Sequence, residues 1–151
     1  MKDIELLSLL ETNARLSVRD LSDILLEEEE NIIQRMDSLE KRKIICGYHT
    51  LINWDNTEFE HVAALIEVKV SPERGRGFDK VAERIYQFEE VESLYLMSGG
   101  FDLMVIIDGK SMKEVARFVS AKLSPMESVI STATHFILKR QLLFIMQHQT
   151  A

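Results

Sequence analysis

Three short stretches with the hydrophobic period of a helix open the chain. DIELLSLLE, residues 3–11, sets Ile4, Leu7 and Leu10 three residues apart, one face of a predicted first helix. TNARLS breaks the pattern. Ser17 followed by Asp20 then resembles a capping box with Asp in place of Glu, opening a second helix through about Leu26 with Leu21, Ile24 and Leu25 inward. Ile32, Met36 and Leu39 predict a third helix from about Glu29 to Lys43. Three short helices with tight connections fit a helix-turn-helix. KRKIICGYHTLINWDN changes period: Gly47 punctuates, and β-favouring residues up to Trp54 predict a wing or linker strand, with DNTEFE as its boundary.

From His61 the pattern is different. HVAALIEVKV reads as a strand with Val62, Ala64, Ile66, Val68 and Val70 on one face. SPERGRG is a loop, and Phe78, Val81, Ala82 and Ile85 make 77–88 an amphipathic helix. VESLYLM (91–97) and DLMVIID (102–108) are strands joined by SGG, Met112, Val115, Ala116 and Val119 mark another helix, and SVISTATHFILK (128–139) is a last strand. The order β-α-β-β-α-β is ferredoxin-like, an antiparallel sheet with both helices on one side. The fold class is therefore α+β. It comprises an N-terminal helix-turn-helix (residues 1–46), a hinge strand (47–60) and a ferredoxin-like domain (61–151). Apolar residues also occupy the opposite parity of the strands, Ala63, Leu65, Met104 and Ile106, so the uncovered sheet face calls for a partner. A second copy packed face to face is the economical one, which predicts a homodimer.

Composition narrows the function. At 151 residues and 46% hydrophobic, the chain has material for one domain or two small ones. No apolar run approaches the roughly 20 residues that span a bilayer. MKDIELLSLLETN is charged and lacks a cleavage pattern, so a cytoplasmic protein is expected. The lone Cys46, in the run IIC, reads as a small buried hydrophobe. His49, His61, His135 and His148 lack metal-ligand spacing, and no nucleophile–base pair or phosphate loop is visible, so neither metal nor cofactor is expected and the chain is read as a non-enzyme. RGRGF (74–78) is a poor phosphate signal, and the apolar LLFIMQ (142–147) is expected to pack on another subunit. Charge complicates the picture. Residues 1–58 hold 13 acidic and 7 basic side chains, net −6, whereas residues 59–151 hold 12 and 11, net −1. The half that would bind DNA is the acidic half, with Glu27, Glu28, Glu29 and Glu30 read as the first turn of its reading helix.

The succession Arg35, Leu39, Glu40, Ile45, Gly47, Tyr48, followed by GGFDL at residues 99–103, resembles the Lrp/AsnC family of feast-or-famine regulators, over nearly the whole chain. The resemblance implies a winged or simple helix-turn-helix, a hinge strand and an effector-binding domain of the kind found in regulators of amino-acid metabolism, in dimers that assemble further, often to octamers. Where that family usually has Gly-Leu-Ser before the reading helix, this chain has Leu26, Glu27 and Glu28. Glu28 caps a helix less well than Ser, although its charge suits the N-terminus.

The candidate DNA contacts are Asn31, Gln34, Arg35, Lys41, Arg42 and Lys43. The candidate effector site is the turn Gly99, Gly100, Phe101 and Asp102. Its glycines permit positive φ, and its carboxylate could accept from an ammonium group. Ser131, Thr132 and Thr134 offer hydroxyls from the last strand. A plain hairpin turn and ordinary β-forming residues account for the same letters. The function implied is a DNA-binding transcriptional regulator answering to a small metabolite, an amino acid above all. The rivals are an amino-acid-binding co-regulatory oligomer with little DNA affinity and, more remotely, an enzyme like the sirohaem decarboxylases, in which His135 or His49 would serve a tetrapyrrole.

Overall fold

A computed structural model describes residues 2–71 and 77–139, which fall into two compact units divided between Ile52 and Asn53. The division lies within the residues read as a hinge. LLFIMQ and most of RGRGF lie outside the described residues.

The first unit holds α1 (Lys2–Thr12), α2 (Val18–Leu25) and α3 (Glu29–Lys41). Its core is Leu6, Leu10, Leu21, Ile32 and Leu39, with Leu7, Leu9, Leu16, Val18, Leu25, Met36 and Ile45 packed around them. The buried face of α1 is Leu6 and Leu10, four apart, rather than the expected Ile4, Leu7 and Leu10; Ile4 is exposed. Ile24 of α2 is exposed too. Both misplacements have one cause: spacings of three and four suit more than one stripe of a short helix, and the neighbouring helices decide which is covered.

The predicted capping box opens α2. Asp20 N–H donates to Ser17 Oγ at 3.1 Å, and Ser17 N–H donates to Asp20 Oδ2 at 2.8 Å. The Ser17 hydroxyl and then its amide, both bonded to Asp20, hold that carboxyl below the usual range. This support is complete above the ordinary carboxyl value of 3.8 and fades as pH falls through the lower folded one.

The turn into α3 departs from good practice twice. Leu26 closes α2 in the left-handed region, φ 53°, with its side chain exposed. Glu28 is the N-cap of α3 but makes no side-chain capping bond. Ser22 ties the turn together: its Oγ donates to Glu27 O at 2.5 Å, and its carbonyl accepts Glu27 N–H at 3.2 Å. A β-carbon in the left-handed region costs about 1–2 kcal/mol and a missing cap about 1. Leu26→Gly with Glu28→Ser is therefore expected to stabilise the first unit by about 1–3 kcal/mol, read as a higher urea midpoint.

Residues 46–53 form no strand, contrary to the predicted wing or linker strand: among the described residues none of the four strands pairs with them. Cys46 is exposed rather than buried, its Sγ donating to Lys43 O at 3.2 Å. The preceding Ile45 is the residue that packs on the helical core, and the Cys46 side chain turns back to the Lys43 carbonyl instead.

The second unit is a four-stranded antiparallel sheet of β1 (Val62–Val70), β2 (Ser93–Leu96), β3 (Leu103–Lys110) and β4 (Val129–Phe136), in the order β2-β3-β1-β4. With α4 (Asp79–Tyr86), α5 (Met112–Phe118) and a π-helical turn, Val119–Leu123, this is the ferredoxin-like arrangement. Ala64, Ile66, Val68, Leu103, Val105 and Ile107 are buried with Val81, Ile85, Val115, Phe118 and Leu123 from the helices. The register puts two rows on the other face: Ala133, Glu67, Met104 and Tyr95, then His135, Leu65, Ile106 and Ser93. Leu65, Met104 and Ile106 are half-buried there and Tyr95 is exposed. Glu67 Oε2 lies 3.1 Å from His135 Nε2.

Candidate DNA-reading surface and effector turn

The family-like letters around α3 are joints. Arg35 reaches Asp3 on α1 (Nε to Oδ1, 3.2 Å) and Glu27 in the turn (Nη1 to Oε1, 3.0 Å), its side chain only 16% exposed. Leu39 is core, and its carbonyl accepts the Ile44 and Ile45 N–H groups. Tyr48 donates its hydroxyl to Glu40 Oε1 at 2.9 Å, tying the exit segment back to α3. Burial first, then the Glu40 bond, raises the Tyr48 phenol above its usual pKa.

This geometry redistributes the candidate DNA contacts. Arg35, read from the sequence as available to DNA, turns inward because two carboxylates compete for it. Glu27, read as part of the acidic first turn, lies before the helix and faces Arg35, 15% exposed. Asn31 and Gln34 are exposed on α3, and Gln34 Nε2 donates to Glu30 Oε1 at 3.2 Å. Lys41, Arg42 and Lys43 are exposed at the end of the helix, where Arg42 Nη1 lies 3.8 Å from Asp3 Oδ2. Arg15 and Arg19, absent from the sequence-derived set, are also exposed, before and within α2. Their signal is charge alone, which does not single out one surface arginine.

At the effector turn, Gly99 takes φ 120°, whereas Gly100 has no positive φ. A side chain at Gly99 meets no neighbour but is strained by the backbone, so Gly99→Ala is expected to lower the unit's stability by about 1–3 kcal/mol, read by thermal denaturation. Phe101 is half-buried. Asp102, read from the sequence as an acceptor for an ammonium group, is half-buried and bonded three ways. Its N–H donates to Val68 O at 3.0 Å, its carbonyl accepts Met97 N–H at 2.8 Å, and Oδ2 accepts Val70 N–H at 2.9 Å. Oδ1 has no hydrogen-bond partner among the described residues. Among the described residues, the sheet thus holds the carboxylate through one oxygen alone.

Ser131, Thr132 and Thr134 are not brought to this turn. They lie on β4, which β1 separates from β3, so Thr132 is about 10 Å from Leu103 across two strand spacings. Ser131 belongs to the open face and Thr132 and Thr134 to the helix side; Thr132 Oγ1 lies 3.3 Å from Ser124 Oγ.

Sequence reading missed one cluster. The His61 ring stacks on Trp54 at 4.4 Å and pairs through Nε2 with Asp108 Oδ1. At this point β1 and β3 shift register, and Gly109, φ 83°, lets the ring approach; a β-carbon there would lie 3.4 Å from His61 Cε1. The partners are 47 residues apart, so no local pattern announces them. Among the described residues, no three His, Cys, Asp or Glu side chains are placed to hold a metal, and no helix is long and apolar enough to cross a membrane.

Residues 63–142 match the family model described as the Lrp/AsnC ligand binding domain. The chain is 52% identical to the uncharacterized HTH-type transcriptional regulator YugG of Bacillus subtilis, over 92% of this chain and 84% of that one. Among solved structures, that of PH0061 superposes with a TM-score of 0.76 at 25% identity, covering 92% of each chain. The regulator NMB0573 of Neisseria meningitidis, solved with L-Met, gives 0.69 at 23% identity, over 91% of this chain and 88% of that one.

Proposed function

This chain belongs to the Lrp/AsnC family of HTH-type transcriptional regulators, and on that premise we propose how its parts divide the work. The unit ending at Ile52 reads DNA through α3, with Asn31 and Gln34 toward the groove and Lys41, Arg42 and Lys43 toward phosphates. Residues 99–102 bind a free amino acid. Arg35 supports the reading unit from within.

The observation that carries the ligand reading is the Asp102 carboxylate. One oxygen is fixed by Val70 N–H and the other is left to accept beside a glycine turn, which suits an α-ammonium group. The methionine bound by the Neisseria protein supports an amino acid as the class of ligand. Calorimetry against the twenty amino acids tests it: one or a few should bind, and silence from all twenty would remove the turn from consideration.

The protein assembles through the open face of the sheet, where Leu65, Met104, Ile106 and Tyr95 form an apolar strip across three strands. Dimers built this way associate further, toward octamers, in the cytoplasm. Met104→Asp with Ile106→Asp is expected to leave a monomer by light scattering at micromolar concentration, and an unchanged assembly would place the interface elsewhere. The acidic charge of α3 favours a second reading, a co-regulatory oligomer that binds the amino acid and little DNA. Gel-shift binding by the wild-type protein separates the two.

A further inference from the structure

On a 3.6-residue wheel the positions opposite buried Ile32 and Leu39 are Glu30, Gln34, Asp37 and Lys41, and all four are exposed. This is the face of α3 that a duplex would meet. Its chemistry is unusual for a DNA reader. The guanidinium of α3, on Arg35, is bonded to Asp3 and Glu27. Toward the N-terminal end of the face stands a hydrogen-bonded pair, Gln34 Nε2 to Glu30 Oε1, 3.2 Å. The direction of that bond is set by chemistry, because a carboxylate only accepts and the amide must turn its NH2 toward it. What remains at the pair is rich in acceptors: the second carboxylate oxygen and the Gln34 carbonyl, with one amide hydrogen.

We infer that Glu30 is a specificity-determining residue of the reading helix, accepting the N4 amino hydrogen of a cytosine in the major groove, with Gln34 as the positioning residue. The inference rests on α3 reading DNA, as proposed above. Cytosine fits better than adenine. Adenine sets its N6 donor beside the N7 acceptor, and a carboxylate has no proton to give N7; cytosine shows N4 with no acceptor of its own in the groove. Thymine and guanine offer oxygen acceptors, which repel the carboxylate.

The charge then discriminates. At every wrong site Glu30 brings a negative group to a polyanion and gains nothing, so the wrong complexes weaken more than the right one. Weak general affinity and sharp selection come from the same side chain. An acidic helix is then compatible with a reader.

The test is selection of duplexes from a randomised library by the full-length protein, followed by binding measurements on the selected site. Wild type should enrich a motif with a cytosine in each half-site. Glu30→Gln should bind bulk DNA several-fold more tightly and shift that position toward adenine, which a glutamine reads through N6 and N7. Exchanging the C·G pair for T·A should cost wild type about tenfold and Glu30→Ala less than about threefold. Gln34→Ala, at unchanged charge, should narrow the wild-type discrimination, which a purely electrostatic role for Glu30 would not do. A variant motif identical to that of wild type, cytosine included, overturns the inference and leaves DNA reading intact. A wild-type protein that enriches no motif at all overturns both.

Discussion

Asp102→Ala is expected to abolish amino-acid binding and to cost the second unit about 1–3 kcal/mol, because it strands the Val70 N–H as well as removing the ligand's acceptor. The two effects separate in Asp102→Asn. An amide oxygen still accepts from Val70, so the melting temperature should stay near wild type. The charge is gone, and a hydrogen bond between charged partners, worth about 1.5–3 kcal/mol, falls to a neutral one. Affinity by calorimetry should drop about tenfold or more in the Asn variant. Equal affinity in a folded Asn variant would mean that Asp102 only closes the sheet.

Arg35→Ala is the second large effect. Glu27 is 15% exposed and loses the guanidinium that faces it, while the more exposed Asp3 is left to solvent. Breaking a well-buried pair costs about 3–5 kcal/mol, and partial exposure here lowers the expectation to about 2–3. The first unit should unfold at lower urea, followed by circular dichroism, and DNA binding should fail in step with folding. Replacing Lys41, Arg42 and Lys43 together with Ala should do the reverse. Stability stays within about 0.5 kcal/mol because these side chains are exposed. DNA affinity falls, and the slope of its logarithm against log salt becomes shallower, by about 0.9 for each phosphate no longer neutralised. Arg35→Ala with full stability and weakened DNA binding would return that side chain to the reading surface.

The fold is legible in the sequence because it is written in periods. Alternation places the first strand, short apolar runs between turns place the other three, and capping letters place the start of α2. Serine and glutamate open α5 by the same device, with Ser111 Oγ accepting Glu114 N–H at 3.2 Å. What fails is pairing. A linker strand has the right letters but forms only when another strand pairs with it, and residues 46–53 have no such pairing among the described residues. The sites are legible as letters and illegible as bonds. GGFD stands out, but the Val70 N–H that occupies one oxygen of Asp102 comes from the far end of another strand. Four consecutive glutamates look like one acidic block. In the folded unit Glu27 faces Arg35, Glu28 caps poorly, and Glu30 holds Gln34; only three-dimensional neighbours distinguish them. Arg35 reads as a DNA contact because it is an arginine on a reading helix, and the two carboxylates that claim it lie 32 and 8 residues away.

The most direct measurement is fluorescence anisotropy of the full-length protein on its own upstream DNA, titrated at several salt concentrations with and without each of the twenty amino acids. The expected result is binding that weakens as salt rises and changes in affinity or stoichiometry with at least one amino acid, the same one that calorimetry detects. By linkage, DNA should alter the affinity for that amino acid by the same factor. No binding at about 0.15 M salt, with or without any amino acid, would contradict a metabolite-responsive DNA reader and leave the co-regulatory oligomer in its place.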